Sequence, residues 1–521
     1  MRLRNFICRD GFWNSGSTDN NICAAAVALS VLFSLWVSFY GGIINLDGIL
    51  YVSVAERLAH GDLNGASRLY NWFFYSLCIA GVSKVSGLAL ETSAYLLTAF
   101  FSALLTCAFL ACVRVLGGDR KTLLWAAFVI VLHPVFMSAR SEIIRDHGYW
   151  SFYLFSILFF LRFYEKQTWC QALLWGGSMV LATLFRIEGL LFLLLLPTVF
   201  LFRGEFVWSR RISCFIRAHM VSLFLLLIVA VIKISDPSFD LLQHGRLGDA
   251  FVWGEKLYFA FTGGLAGKAA VLEKLVLNPY SEKYAMPVLV MIPFMILAHK
   301  LVLTLTPLYT CLLAWHPLRS ARFLNRVQVP VLVWLALLNV VMLIAILFAD
   351  YFMPRRFVFP LGLILLLPLP FILNRHFTRW SAAKRNSVKI GWLIYPVFMV
   401  LLLQSLDGLV TMPGSSSSYI KDAGLWLKQN ISAQATLYSN NPKIYYYSGH
   451  MAGYWENRPA RIDLSSELLE KKPWQSKAYI ALWSSHHSAR RADDVTSAVG
   501  SQPIKTFRNS RNDAVLIYAA R

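Results

Sequence analysis

The sequence predicts an all-α, polytopic membrane domain of about eleven transmembrane helices, followed by a C-terminal α/β domain outside the bilayer. Three observations carry this. Of 521 residues, 57% are hydrophobic and only 15% are charged, with a mean hydropathy of +0.54, whereas soluble domains carry about 25% charged residues. Apolar runs long enough to cross a bilayer recur along most of the chain, continuous rather than alternating, so they read as helices and not as barrel strands. After residue 411 the pattern changes to one amphipathic helix and several short β-type runs.

The elements follow in order. A first span near 22–44 follows "MRLRNFICRD" and is long enough to be a retained anchor rather than a cleaved leader. Residues 48–62 and 68–86 are too polar or too broken to span and read as helices in the outer interface, where Tyr51, Tyr70, Trp72 and Tyr75 suit the headgroup level. Spans are expected near 91–113, 123–139, 149–164, 171–185, 189–202, 218–235, 285–315, 328–349, 357–373 and 390–411. The run 285–315 is long for one span and carries Lys300, so a break is expected in it. With the N-terminus inside, the basic loops at 114–122, 203–217, 316–326 and 374–389 all fall on the cytoplasmic side. The net charge of +21 is thereby topology rather than a nucleic-acid signature. The domain boundaries predicted are 1–411 for the membrane domain and 412–521 for an extracytoplasmic domain, in which "ATLYSNN", "KIYYYSG", "KAYIALWSS" and "AVLIYAAR" read as strands. The eight cysteines form neither a disulfide framework nor a zinc pattern.

The candidate chemistry sits on one face. Asp47, in "NLDGILYVSVAERLAHGD" (45–62), lies at the outer edge of the first span and shares a helix face with Tyr51. It reads as an N-cap or as a catalytic carboxylate, and the two roles are compatible. The loop "SARSEIIRDHGYW" holds Arg140, Arg145 and Asp146, either anchoring helices or cradling an anionic headgroup with Asp146 orienting an arginine. Arg186 and Glu188 interrupt an apolar stretch, where a local ion pair is the simplest reading. Arg355 and Arg356 lie at another outer edge, where positive charge is rare. Arginine on three outer turns beside one isolated aspartate fits a site that binds a lipid phosphate and removes a proton. The sequence has no Gly-Lys-Ser/Thr phosphate loop, HExxH helix or GxSxG elbow.

These segments, in this order, resemble the GT-C superfamily of membrane glycosyltransferases, in particular the branch with protein O-mannosyltransferases and lipid A aminoarabinose transferases. "LDGILYVSVAERLAHGD" is similar to the first outer loop of that family. "RLYNWFFYSLCIAGVSKVSG", headed by Arg68, is similar to its second interfacial helix. "ARSEIIRDHGYWSFYLFSILFFLRF" resembles its second acidic loop, and "LATLFRIEGLLFLLLLP" and "RRFVFPLGLILLLP" resemble later segments, with Phe357 where tyrosine is usual. The family often has Asp-Glu where this chain has Asp47-Gly48. The resemblance implies a GT-C fold and inverting transfer of a sugar from a polyprenyl-phosphate donor to a glycan, lipid or protein hydroxyl. The reaction would take place on the periplasmic side of a bacterial inner membrane. Asp47 would be catalytic, and Tyr51, Arg68, Arg140, Arg145, Asp146, Arg186, Glu188, Arg355 and Arg356 would bind substrate. No metal ligand is assigned, a divalent metal is left open, membrane lipids are the surrounding partner, and nucleic acid is not one. A transporter or flippase of lipid-linked glycans, using the same arginines without a base, is the alternative, and an assembly subunit with a dead site is a third reading.

Overall fold

The computed structural model describes residues 17–40, 43–236, 247–315, 324–384, 399–400, 402–403, 417–456, 478–485, 496–497 and 499–519. In chain order the helices are α1 (Ser17–Tyr40), α2 (Leu46–Ala59), α3 (Leu63–Leu69), α4 (Phe74–Ser86), α5 (Leu90–Val115), α6 (Arg120–Val131), α7 (Pro134–Ala139), α8 (Asp146–Lys166), α9 (Trp169–Phe185) and α10 (Gly189–Leu195), which runs into a 3-10 turn (Leu196–Phe202). There follow α11 (Trp208–Ala218), α12 (Met220–Ser235), α13 (Leu247–Phe259), α14 (Leu265–Leu275), α15 (Ala285–Leu305), α16 (Pro307–Trp315), α17 (Val329–Asp350), α18 (Arg355–Leu366) and α19 (Leu369–Lys384). The C-terminal part contributes α20 (Ser418–Asn430), β1 (Leu437–Ser439), α21 (Pro442–Ser448), α22 (Met451–Glu456), β2 (Tyr479–Ser484), β3 (Lys505–Arg508) and β4 (Ala514–Ala519).

Among the described residues, four helices are long and apolar enough to cross a membrane unaided: Asp19–Ser38, Leu90–Val115, Glu282–Leu305 and Val329–Asp350. Two bent pairs, α11 with α12 at 56° and α18 with α19 at 44°, bring the number to six. The remaining predicted spans up to 202 are helical but shorter, broken or less apolar. The span predicted at 390–411 lies almost wholly outside the described residues. The break in 285–315 falls at Thr306. The cause is Pro307, whose ring drives the preceding residue out of the helical region; Thr306 takes φ +71°.

The chain divides into two compact units. The first comprises Met1–Val31, Phe100–Met137 and Arg145–Ser405; the second comprises Leu32–Ala99, Ser138–Ile144 and Leu406–Arg521. In the first unit α8 packs on α9. Lipid tails are as apolar as leucine, so such contacts rest on close packing and on satisfied polar groups rather than on a hydrophobic force. Gly148 lets α8 approach Phe185: a Cβ there would lie 2.5 Å from that ring. Phe160 meets Trp175 edge-on, with ring centroids 4.9 Å apart. Several buried polar side chains pair: Thr106 donates to Ser30 at 3.0 Å, Trp175 Nε1 to the Ala218 carbonyl at 2.9 Å, and Asn339 Nδ2 to Tyr153 Oη at 2.8 Å.

In the second unit a four-stranded sheet has the order β1-β2-β4-β3. β1 runs parallel to β2, and the other pairings are antiparallel. The run expected as a strand at "KIYYYSG" is instead helix α21. Its ends explain why: Asn441 accepts from Lys443 N at 3.0 Å, Pro442 occupies the first turn, and Gly449 closes the helix at φ +79°. Start and stop signals outweigh the strand preference of three tyrosines.

Candidate active site

The second unit holds the loop around Asp47. Helix α2 begins at Leu46, so the cap position is Asn45, and Asp47 lies inside the first turn. The N-cap reading of Asp47 is therefore corrected. Nor does Asn45 cap with its side chain. It is committed to Ile143, accepting from the Ile143 amide at 2.9 Å and donating to its carbonyl at 3.3 Å. Gly48 is part of this close approach, since a Cβ there would lie 2.7 Å from Asn45 Oδ1 and 3.0 Å from Ile143 Cβ. The Ile44 amide donates to Tyr447 Oη at 2.9 Å, and Tyr446 Oη donates to Glu91 at 3.1 Å. Helix α21 thus grips the chain three residues before Asp47. At the far end, Gly61 turns with φ +78° and Asp62 caps α3 through Gly65 N at 2.8 Å while pairing with Arg57 at 3.3 Å. The Gly-Asp stop is the joint between two helices.

Tyr51 is buried one turn beyond Asp47, edge-on to Tyr70 and Tyr75 at centroid distances of 5.8 and 5.2 Å. Arg68 is exposed on α3. Arg140 is fully buried and donates to Ser34 Oγ.

The first unit gathers the other charges. Arg186, at the C-terminal cap of α9, forms ion pairs with both Asp146 and Glu188. The local pair with Glu188 was legible in sequence; the one with Asp146, the first residue of α8, was not. Arg186 also lies over Phe357 at 4.0 Å and over Tyr149 at 5.7 Å. Burial alone would raise the Glu188 carboxyl, but Arg186, and to a smaller degree Arg145, overcome it and lower the pKa to about 2. Arg145 precedes α8 and, with Glu188 and Phe357, lines a cavity of about 510 Å³. The rest of its wall is mostly apolar, including Leu191, Leu194, Trp253, Leu257, Met342 and Ile346. Trp253 and Leu257, from α13, lie between the spans expected at 218–235 and 285–315 and had no signal in the sequence. Arg355 donates to the Leu303 carbonyl at the end of α15 at 2.5 Å, and Arg356 sits beside it in the first turn of α18.

The predicted site residues thus form two groups: Asp47, Tyr51, Arg68 and Arg140 in the second unit, and Arg145, Asp146, Arg186, Glu188, Arg355 and Arg356 in the first. Among the described residues no three His, Cys, Asp or Glu side chains converge where a metal ion could sit. The position after Asp47, where a second carboxylate would stand, has no room for a side chain. These residues do not fit a metal site at Asp47.

No family model and no curated protein matches the sequence significantly. Solved structures do resemble the fold. An oligosaccharyltransferase of Archaeoglobus fulgidus, in complex with zinc and sulfate, is similar with a TM-score of 0.53 at 13% identity, over 94% of this chain and 73% of that one. The same protein tethered to an acceptor peptide gives 0.51 at 13% identity, over 98% and 75%. ArnT from Cupriavidus metallidurans bound to undecaprenyl phosphate gives 0.42 at 12% identity, over 95% and 97%. The chain is an integral membrane protein by its apolar helices. Its fold is that of the GT-C membrane glycosyltransferases.

Proposed function

We propose that the chain is an inverting glycosyltransferase that moves a sugar from a polyprenyl-phosphate donor to an acceptor hydroxyl on the periplasmic side of the membrane. The observation that carries this reading is the first unit's cavity, whose mostly apolar wall includes Arg145 and Glu188. An isoprenoid chain suits such a wall, and a guanidinium suits a phosphate because its planar fork meets two oxygens at once. The GT-C fold supports the reading.

In this mechanism the acceptor oxygen attacks the anomeric carbon as the bond to the phosphate oxygen breaks. Asp47 takes the acceptor proton, and the polyprenyl phosphate leaves as an anion stabilised by arginine. Arg145 is the phosphate ligand. Arg186, paired with Asp146 and Glu188, orients Glu188 at the cavity wall. Tyr51, Arg68 and Arg140 remain candidates for acceptor contacts. The loop at 45–62 and the domain from 412 onward face the periplasm, which labelling of cysteines introduced at positions 62 and 430 tests; opposite sides would overturn the topology. The direct test of function uses purified protein in lipid with polyprenyl-phosphate sugars. Sugar transfer is expected, and movement of the intact donor across the bilayer without transfer would favour a flippase instead.

A further inference from the structure

Helix α11 presents three distinct faces. Cys214 and Ala218 are buried against the protein. Trp208, Ile212 and Ile216 recur every four residues, so they form one stripe, and they are 63%, 48% and 51% exposed. Arg210 and Arg217 occupy a third face, about 150° around the helix from the centre of that stripe. The stretch 203–217 carries Arg203, Arg210, Arg211 and Arg217 against Glu205 alone. Among the described residues, only Arg203 pairs with that glutamate, at 3.7 Å. Arg210 donates to the neutral Gln167 Oε1 at 3.1 Å, Arg211 to the Phe206 carbonyl at 2.7 Å, and Arg217 lies over the Trp169 ring at 5.0 Å. None of these contacts cancels a charge. After α11 the chain bends by 56° into α12, whose Leu223, Phe224, Leu226 and Leu227 are all half or more exposed.

A helix turned away from an apolar, outward-facing span, with an apolar stripe and a cationic face, matches the geometry of a helix lying in the plane of the membrane interface. We infer that α11 docks on an anionic phospholipid surface, with Trp208, Ile212 and Ile216 in the acyl boundary and Arg210 and Arg217 at the headgroups. Charge decides the occupant. The stripe alone would accept any lipid or an apolar protein face, whereas the uncompensated arginines select a negatively charged leaflet. The attraction is about 1 kcal/mol, or roughly fivefold, for each arginine at the surface.

The test is amide hydrogen exchange over 208–218, with the full chain in nanodiscs of phosphatidylcholine alone or mixed with phosphatidylglycerol. Exchange is expected to be at least about fivefold slower in the anionic discs. Arg210→Gln, at an exposed position, is expected to remove much of that difference while leaving exchange in α8 and α9 unchanged. Trp208→Ser with Ile212→Ser is expected to speed exchange in both lipids. Equal protection in the two lipids would overturn the inference. So would protection that follows self-association of the chain in detergent instead of lipid charge.

Discussion

Replacing Arg145 and replacing Arg186 should give opposite phenotypes, although both are arginines beside Glu188. Arg186 is 3% exposed and paired with two carboxylates, Asp146 at 2% and Glu188 at 17% side-chain exposure. Arg186→Met would leave two buried anions facing each other. Removing one partner of a buried ion pair costs about 3–5 kcal/mol, so this variant should unfold at markedly lower denaturant or temperature. Arg186→Met combined with Asp146→Asn and Glu188→Gln removes every charge together and should recover most of the loss. Arg145 lines the cavity, and its removal should weaken donor binding by about 1.5–3 kcal/mol, the range for hydrogen bonds to charged groups. Its effect on stability should be the smaller of the two. The assay is paired: thermal unfolding and lipid-donor binding on the same purified samples. If Arg186→Met is as stable as wild type and loses only donor binding, the division of labour is wrong and Arg186 is itself a phosphate ligand.

Three further outcomes are expected. Glu188 has its carboxyl lowered to about 2 in the folded chain, so the stability it contributes is present above its ordinary pKa of about 4.3 and is lost as pH falls toward 2; Glu188→Gln should flatten acid unfolding in that window. Asp47→Asn loses the interaction of a first-turn carboxylate with the helix dipole, about 0.3–1 kcal/mol, and should lower turnover by about 100- to 10,000-fold; near-normal turnover would remove Asp47 as the base. Tyr447→Phe keeps the ring but deprives the buried Ile44 amide of its acceptor, a loss of about 1–3 kcal/mol; exchange over 43–48 should quicken and turnover should fall, and unchanged exchange would show that α21 does not hold this loop.

What was legible in the sequence was local. The Arg186–Glu188 pair is two residues apart, and Gly61-Asp62 is a contiguous stop-and-start signal, so both could be read directly. The apolar runs named the helices because continuous burial in lipid or protein leaves few other solutions. What was missed depended on partners distant in sequence. Asn45 was overlooked as the start of α2 because Asp47 is an equally good capping type, and the distinction rests on Ile143, 98 residues away. Asp146 lies 40 residues from Arg186. The cavity wall from Trp253 and Leu257 belongs to α13, which lies between the spans expected at 218–235 and 285–315. Helix α21 was misread because three adjacent tyrosines favour a strand, while its short length placed the decision with Asn441, Pro442 and Gly449.

Charge balance at the cavity leads to one more expectation. Arg145 and Arg186 are matched by Asp146 and Glu188, so these four groups sum to zero. A sugar phosphodiester brings one negative charge to them, and cleavage of the sugar–phosphate bond adds nearly a second at neutral pH. The extra charge appears only as the bond breaks, so whatever compensates it acts on the transition state more than on the bound donor. Phe357 lines the cavity and carries the Arg186 guanidinium on its ring, and Arg356 is its neighbour in the first turn of α18. As the chain neighbour of this cavity-lining ring, Arg356 is proposed to meet the developing charge. Arg356→Ala should lower kcat by more than it weakens donor binding, whereas Arg145→Ala should weaken both. Single-turnover rates with saturating donor separate the two effects. If Arg356→Ala weakens donor binding and leaves the rate at saturation unchanged, Arg356 serves binding alone and the leaving phosphate is compensated elsewhere.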